Sequence, residues 1–297
     1  MKADSIPITG LVLHFRTVER TLACLRSQQQ EGIRKAIIVD NSEDGGKSIG
    51  DMQKGLDALR TGGFYTEVLC LRRNLGFAGG VACGLKHVSV MQPSHVLLIN
   101  SDARLETGSL ELMRQVLVNA PIVAPTIAQG DQPPSSPFAY YDRLLGLITP
   151  TPKITPLHHA SGCCLLIRCD QVQCSIFDQD FFFYGEDVML GFDTQRCGNP
   201  VKECPGATVS HATSSSAQNG SIFYEYHINR AHWLLAQKLA RSPLEQCLFI
   251  GARCITLPLR ALVRSFRFRS FLAWKGLLAA TCDVLRGRCR SFTPPAS

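Results

Sequence analysis

Apolar positions follow two rhythms along this chain. The runs Ile8 to Leu13, Ala36 to Val39 and His95 to Ile99 have the length of buried strands, whereas Val18 to Gln30 and Thr107 to Asn119 carry apolar residues at helical spacing. The opening therefore reads strand, helix, strand, with the second strand ending on Asp40-Asn41. Glu67 to Leu71 is a further short strand, and "NLGFAGGVACGLKHV" is a glycine-rich turn that enters a helix. Such alternation predicts a mostly parallel sheet with helices on its faces. Residues 129 to 157, rich in Pro, Gln and Ser, predict a long surface loop. Beyond it, Gly162 to Arg168 reads as a strand, Gln171 to Gly198 as a loop and helix, Ala207 to Val209 as a short strand and residues 221 to 240 as a helix. No internal repeat is visible.

Charge changes this picture at one end only. The formal net charge is +7. From Pro243 to Ser297, Arg253, Arg260, Arg264, Arg267, Arg269, Lys275, Arg286, Arg288 and Arg290 face only Glu245 and Asp283, which accounts for the whole excess. Residues 1 to 242 are formally neutral, so no electrostatic nucleic-acid binder is expected there. The division follows: one domain over 1–242 and a basic helical tail over 243–297. Thirteen cysteines without a C-x-x-C pair, with no signal peptide read before them, suggest reduced cytosolic thiols. They serve as small core side chains; a zinc site from Cys163, Cys164, Cys169 and Cys174, or from Cys197 and Cys204, is the alternative.

Open α/β sheets bind ligands at the carboxyl ends of their strands. Three polar groups fall at such ends: Asp40-Asn41, Arg72 to Gly76, and Asn100-Ser101-Asp102. Together with "IIVDNSEDGG", "RRNLGFAGGVACGL", "LLINSDARLETGSLELM", "SGCCLLIRCDQV", "FDQDFFFYGEDVMLGFDTQRCG" and "VSHATSSS", in that order over roughly residues 5 to 240, they resemble the inverting family 2 glycosyltransferases, and within them the rhamnosyltransferase-like group. The resemblance implies a glycosyltransferase A-type nucleotide-binding fold, with a mostly parallel central sheet flanked by helices and a C-terminal helical extension.

It also implies roles. Asp102 is a ligand of Mn²⁺ or Mg²⁺, which neutralises the departing diphosphate, and His211 is the second protein ligand. Asn100 flanks the single carboxylate where the family often has two or three. Asp40 contacts the nucleotide base, favouring UDP or dTDP. Asn74 and Gly76 lie against the nucleotide sugar, with Gly76, Gly79 and Gly80 allowing close backbone approach. Asp187 is the base that deprotonates the acceptor hydroxyl, Glu186 its supporting partner or an acceptor contact, and desolvation beside "FFFY" raises the carboxylate pKa. Arg230 contacts a phosphate of the donor or of a lipid acceptor, or is an ordinary helix arginine. Phe181 to Tyr184 form either a wall against a sugar or core aromatics. His158 and His159 read as loop residues. Two positions depart from the family: Phe15-Arg16 stands where Tyr-Asn is common, and Met189 where an acidic residue is frequent.

In the tail no stretch of eighteen uncharged apolar residues occurs, so a spanning helix is not expected. Arg260, Arg264 and Arg267 share one side of a helix, with Leu259, Leu262, Val263 and Phe266 on another. That pattern predicts an interfacial helix, with Phe266, Phe268, Phe271 and Trp274 at the lipid boundary and the arginines on anionic headgroups; packing on protein is the alternative. The expectation is a cytoplasmic enzyme, peripheral on the inner membrane, moving L-rhamnose from dTDP-L-rhamnose to a lipid-linked saccharide. A UDP-sugar donor and a non-catalytic membrane-associated subunit stay open.

Overall fold

The computed structural model describes residues 6–90, 94–130, 132–168, 170, 176–212 and 219–289. The chain forms two compact units, residues 1–137 with 160–179 and 193–213, and residues 138–159 with 180–192 and 214–297. The tail drawn from residue 243 falls within the second.

The first unit is built on an eight-stranded sheet. Strands β1 (Ile8–His14), β2 (Lys35–Asp40), β3 (Tyr65–Cys70) and β4 (His95–Asn100) lie parallel in the order β3-β2-β1-β4. Strand β10 (Cys164–Ile167) runs antiparallel between β4 and β6 (Ile122–Ala128). Strand β11 (Lys202–His211) then pairs parallel to β6, and β5 (Ala103–Leu105) closes the edge antiparallel to β11. The sheet is thus mixed. Helices α1 (Val18–Gln30), α3 (Gly76–Ser89) and α4 (Ser109–Leu117) fall where the apolar periodicity predicts them. Cys24, Cys163, Cys164 and Cys204 sit in the core, as small soft side chains do; Cys169 and Cys174 lie outside the described residues. Burial pushes the Cys24 thiol up to about 12, against the opposing hydrogen bond from Gln28.

Helix α2 (Lys47–Thr61) is an addition to the sequence reading. Its apolar side is thin: Met52, Leu56 and Leu59 are its buried apolar residues, and Gly50 and Gly55 dilute its propensity. Strand β11 is longer than Ala207 to Val209 because Pro205-Gly206 interrupts its pattern without ending it; the register shifts between Cys204 and Thr208.

The second unit corrects the expected 129–157 loop. Strands β7 (Phe138–Asp142), β8 (Leu147–Thr149) and β9 (Pro156–Ala160) form a sheet in the order β8-β7-β9, with His158 and His159 on β9. Its polar sequence hides internal anchors. Asp142 is fully buried and accepts the Leu145 N–H at 2.7 Å and the Thr155 N–H at 2.8 Å; burial raises its pKa, but these bonds outweigh burial and hold it below the usual range. Arg253, also fully buried, donates to the carbonyls of Leu144 and Arg143 and to the Tyr141 hydroxyl. A Cβ at Gly146 would strike that guanidinium, and φ there is +69°.

Three helices complete this unit: α6 (Ile222–Lys238), α7 (Pro243–Phe268) and α8 (Leu272–Leu285). Ser221 and Ser242 cap α6 and α7 by accepting the N–H three residues on. Gly276 lets α8 approach α6, since a Cβ there would lie 2.5 Å from that of Glu225. Glu225 is 1% exposed and holds both Arg260 and Arg264 of α7.

His227 of α6 is stacked on Phe182 at 4.9 Å, and burial, aided by the Arg230 charge, pulls its pKa down to about 3. Unfolded histidine titrates near 6.5, so this contribution is complete above pH 6.5 and declines as pH falls toward 3, by up to about 1.4 kcal/mol per pH unit. His227→Phe is expected to flatten the fall in stability between pH 6.5 and pH 4, read as urea midpoints; parallel wild-type and variant profiles would contradict this.

Candidate functional site

The turn after β4 positions the predicted metal carboxylate. The Asn100 N–H donates to the Cys163 carbonyl at 2.9 Å, ending β4, and Ser101-Asp102 turn the chain into β5. Because β5 pairs with β11 in the register Ala103 to His211, the last residue of β11 is brought beside Asp102. Their side chains meet: His211 Nε2 lies 3.2 Å from Asp102 Oδ1. Both are partly accessible, at 16% and 13%. Arg20 of α1 adds a cation 3.9 Å from Asp102 Oδ2, a neighbour that no pattern in the sequence announces.

This pair suits a divalent ion. Two adjacent ligands about 2.1 Å from an octahedral ion lie about 3.0 Å apart, close to the observed separation. No group of three or more His, Cys, Asp or Glu side chains capable of holding a metal occurs among the described residues. A metal held by two protein ligands would need its remaining oxygens from a diphosphate and water, as Mg²⁺ and Mn²⁺ sites commonly do.

The parallel strands align the other predicted donor residues on the same edge of this unit, since His14 of β1, Asp40 of β2 and Cys70 of β3 are in register. Asp40 is 4% exposed and its Oδ1 accepts the Ser42 N–H at 3.0 Å. Asn41 emerges as the organiser of the glycine-rich turn: its Nδ2 donates to Asn74 Oδ1 at 2.8 Å and to the Gly76 carbonyl at 3.0 Å, and its Oδ1 accepts the Leu75 N–H at 2.8 Å. Asn74 Oδ1 also accepts the Gly76 N–H. Asn74 is thereby a turn residue, and Gly76 adopts φ +72°. Gly80 and Gly84 serve the packing of α3 on the sheet; a Cβ at Gly84 would overlap Leu11 and lie 2.8 Å from Val39 Cγ2. Arg16, at φ +58°, ties β1 to β2 through its N–H and Nε, each 3.0 Å from Ser42. A cavity of about 440 Å³ in the same unit is lined by Pro7, Ile33 and Gly108, at the amino ends of the strands, the wrong edge for a nucleotide.

The second unit holds the predicted base. Tyr184 and Gly185 have φ of +66° and +95°; Tyr184 stores strain, and a Cβ at Gly185 would strike the Phe181 ring. This turn delivers Glu186 and Asp187 to the first turn of α5 (Glu186–Arg196), where a carboxylate is favoured by the helix dipole. The two environments differ. Glu186 is buried with no hydrogen-bond partner on Oε2, and burial first, then the neighbouring Asp187 charge, raise its pKa well above the usual range. Asp187 is half-buried. Both line a cavity of about 90 Å³ with Tyr184, His159 and His232. The expected desolvation thus falls on Glu186. Phe181 is core, 1% exposed, and Phe182 stacks on His227; Phe183 packs on Phe223. Met189 is buried in the same cluster. Arg230, expected either on a phosphate or as an ordinary helix arginine, donates from its guanidinium to the carbonyls of Asp180 at 2.6 Å and Arg288 at 3.3 Å.

No protein-family model and no curated protein matches the sequence. Solved structures do. A mannosyltransferase from Pyrobaculum calidifontis, in complex with GDP-Man and Mn²⁺, matches with a TM-score of 0.57 and 11% identity over 96% of this chain and 88% of that one. S. aureus TarS 1-349, in complex with UDP-GlcNAc, matches at 0.51 and 13% over 95% and 93%. The chain has the glycosyltransferase A-type fold. GalNAc-T7, solved with UDP, GalNAc and Mn²⁺, matches at 0.56 and 12% over 83% of this chain, which spans 54% of that longer one. At these identities the likeness establishes the fold, and the chemistry is carried by the residues above.

A raised folded-state pKa makes Glu186 destabilising wherever the unfolded carboxyl ionises: its contribution is best below about pH 4.5 and is lost as pH rises. Glu186→Gln is therefore expected to raise the melting temperature at pH 8 and to leave it unchanged at pH 4. Equal shifts at both pH values would contradict a neutral Glu186.

Proposed function

We propose that this protein is an inverting glycosyltransferase that moves a sugar from a nucleoside diphosphate donor to a saccharide hydroxyl. The single observation that carries the reading is the Asp102–His211 pair on the fold's ligand-binding strand ends. Asp102 and His211 would hold Mn²⁺ or Mg²⁺, which supplies charge neutralisation for the departing diphosphate. Asp40 accepts an imide N–H of uracil or thymine; Asn41 and Asn74 hold the turn against which the nucleotide rests.

The base is Asp187. The acceptor oxygen attacks the anomeric carbon from the face opposite the nucleotide, its proton passes to the Asp187 carboxylate, and the anomeric carbon–oxygen bond pair leaves with the diphosphate. Glu186, its pKa raised by burial and by the Asp187 charge, keeps its proton more readily than Asp187, so burial gives two adjacent carboxyls different roles. Resemblance within the rhamnosyltransferase-like group favours dTDP-L-rhamnose as donor, with UDP-sugars next. The acceptor is taken to be lipid-linked, in cell-surface polysaccharide synthesis on the cytoplasmic face of the membrane.

Chromatography of nucleoside diphosphate released from dTDP-, UDP- and GDP-sugars with Mn²⁺ tests the reading. Wild type is expected to release slowly without acceptor and faster with one. Asp187→Asn is expected to lower transfer by about 10²–10⁴-fold while nucleotide binding persists. Near-normal turnover in that variant would displace the base, and no release from any donor would favour the non-catalytic subunit.

A further inference from the structure

Helix α7 has two apolar sides and its own unit covers one. Phe249, Leu257 and Ala261 are buried, in line with Arg253. On the opposite side Leu248, Ile255, Leu259, Leu262 and Phe266 are 43–77% exposed. The intervening positions on that side, Cys247, Gly251, Cys254, Pro258 and Ser265, bring no charge. From Leu248 to Phe266 the stripe runs about 27 Å, and soluble surfaces rarely leave such a face bare. After the helix ends, Phe271, just before α8, and Leu278 of α8 are 77% and 63% exposed.

The charge around the stripe selects the occupant. Spacing alone would also suit a second copy, since Leu248, Ile255 and Leu262 are each followed four residues on by Ala252, Leu259 and Phe266, as in a coiled-coil seam; charge favours a different occupant. Within residues 243–289 the exposed charges are of one sign: Arg267, Arg269, Lys275, Arg286 and Arg288 are exposed, while Asp283 is buried against the Tyr226 hydroxyl and the half-buried Glu245 is bonded to the Arg241 N–H at the far end of α7. An apolar stripe bordered by cations matches an anionic lipid surface.

The helix is nonetheless long and apolar enough to span a bilayer, with an 18-residue window of mean hydropathy 1.4. Its inner side decides against that. Arg253 is locked on three oxygens of β7 and the turn after it, and Arg260 and Arg264 on Glu225. Spanning would carry these charges into hydrocarbon or break all of the bonds.

We propose that the uncovered side of α7 lies flat in an anionic bilayer surface, with Leu248, Ile255, Leu259, Leu262 and Phe266 among the acyl chains and Arg267 and Arg269 on lipid phosphates. The headgroup arginines are therefore not Arg260 and Arg264, and Trp274 is partly buried against the cluster of Leu257, Ala261, Ala273 and Leu277. The proposal deepens the lipid-linked acceptor reading and rests on it for its purpose.

The test is co-sedimentation of the full chain with vesicles. Wild type is expected to sediment with equimolar phosphatidylglycerol and phosphatidylcholine, less with phosphatidylcholine alone and less in high salt, and to be released by alkaline carbonate. Ile255→Ser with Leu262→Ser and Phe266→Ser, and separately Arg267→Glu with Arg269→Glu, are each expected to weaken binding about tenfold or more, with unchanged circular dichroism and melting temperature. Wild type left in the supernatant, triple-variant binding equal to wild type, resistance to carbonate, or a wild-type dimer that the triple variant dissociates would each overturn the proposal. Vesicle binding without any nucleotide response would sustain this surface and remove the sugar-transfer reading.

Discussion

The reversal of the chain at Ser101-Asp102 is the constraint on which the first unit's chemistry depends. Strand β4 is buried from His95 to Ile99, so its hydrogen bonds must all be met by neighbours, and β1 on one side and β10 on the other meet them. Where β10 begins, pairing ends. The chain turns, and a three-residue strand fixes it again on β11. Register then leaves no freedom: with Ala103 opposite His211, the imidazole and the Asp102 carboxylate share one corner. A one-residue slip of β5 would send Asp102 to the other face.

In the second unit the organising interactions are buried arginines that act through geometry more than through net energy. Removing two charges from water costs nearly what their attraction returns. What Arg253, Arg260 and Arg264 supply is register: planar guanidinium groups with several donors meet backbone carbonyls and one carboxylate in one arrangement. The 138–160 sheet depends on this, because Arg253 fills the turn after β7 that its own polar sequence cannot fill. Strain is tolerated at Tyr184 and an uncompensated oxygen at Glu186, both beside the proposed base, which is where a catalytic surface concentrates such features.

How much of this was legible follows from which interactions are local. Strands β1, β2 and β4 and helix α1 follow from apolar period alone, and α1 was read to the residue, Val18 to Gln30. Asp102 and His211 were named from motif and are in contact, although more than a hundred residues separate them in sequence. Helix α2 escaped because Gly50 and Gly55 weaken a narrow apolar side. The 129–157 region read as a loop because its anchors, Asp142 and Arg253, act by hydrogen bonding and leave no periodicity. Arg260 and Arg264 read as headgroup arginines because a sequence gives charge but not partner; their partner is Glu225. The division of labour between Glu186 and Asp187 is set by burial of adjacent residues, which pattern alone does not resolve.

The measurement closest to the central claim is Mn²⁺ binding followed by electron paramagnetic resonance, with and without UDP or dTDP. Wild type is expected to take up Mn²⁺ weakly alone and much more tightly with nucleotide; Asp102→Ala should abolish that coupling, His211→Ala weaken it, and Asp187→Asn preserve it. Nucleotide-dependent Mn²⁺ uptake that is unchanged in Asp102→Ala would contradict the account.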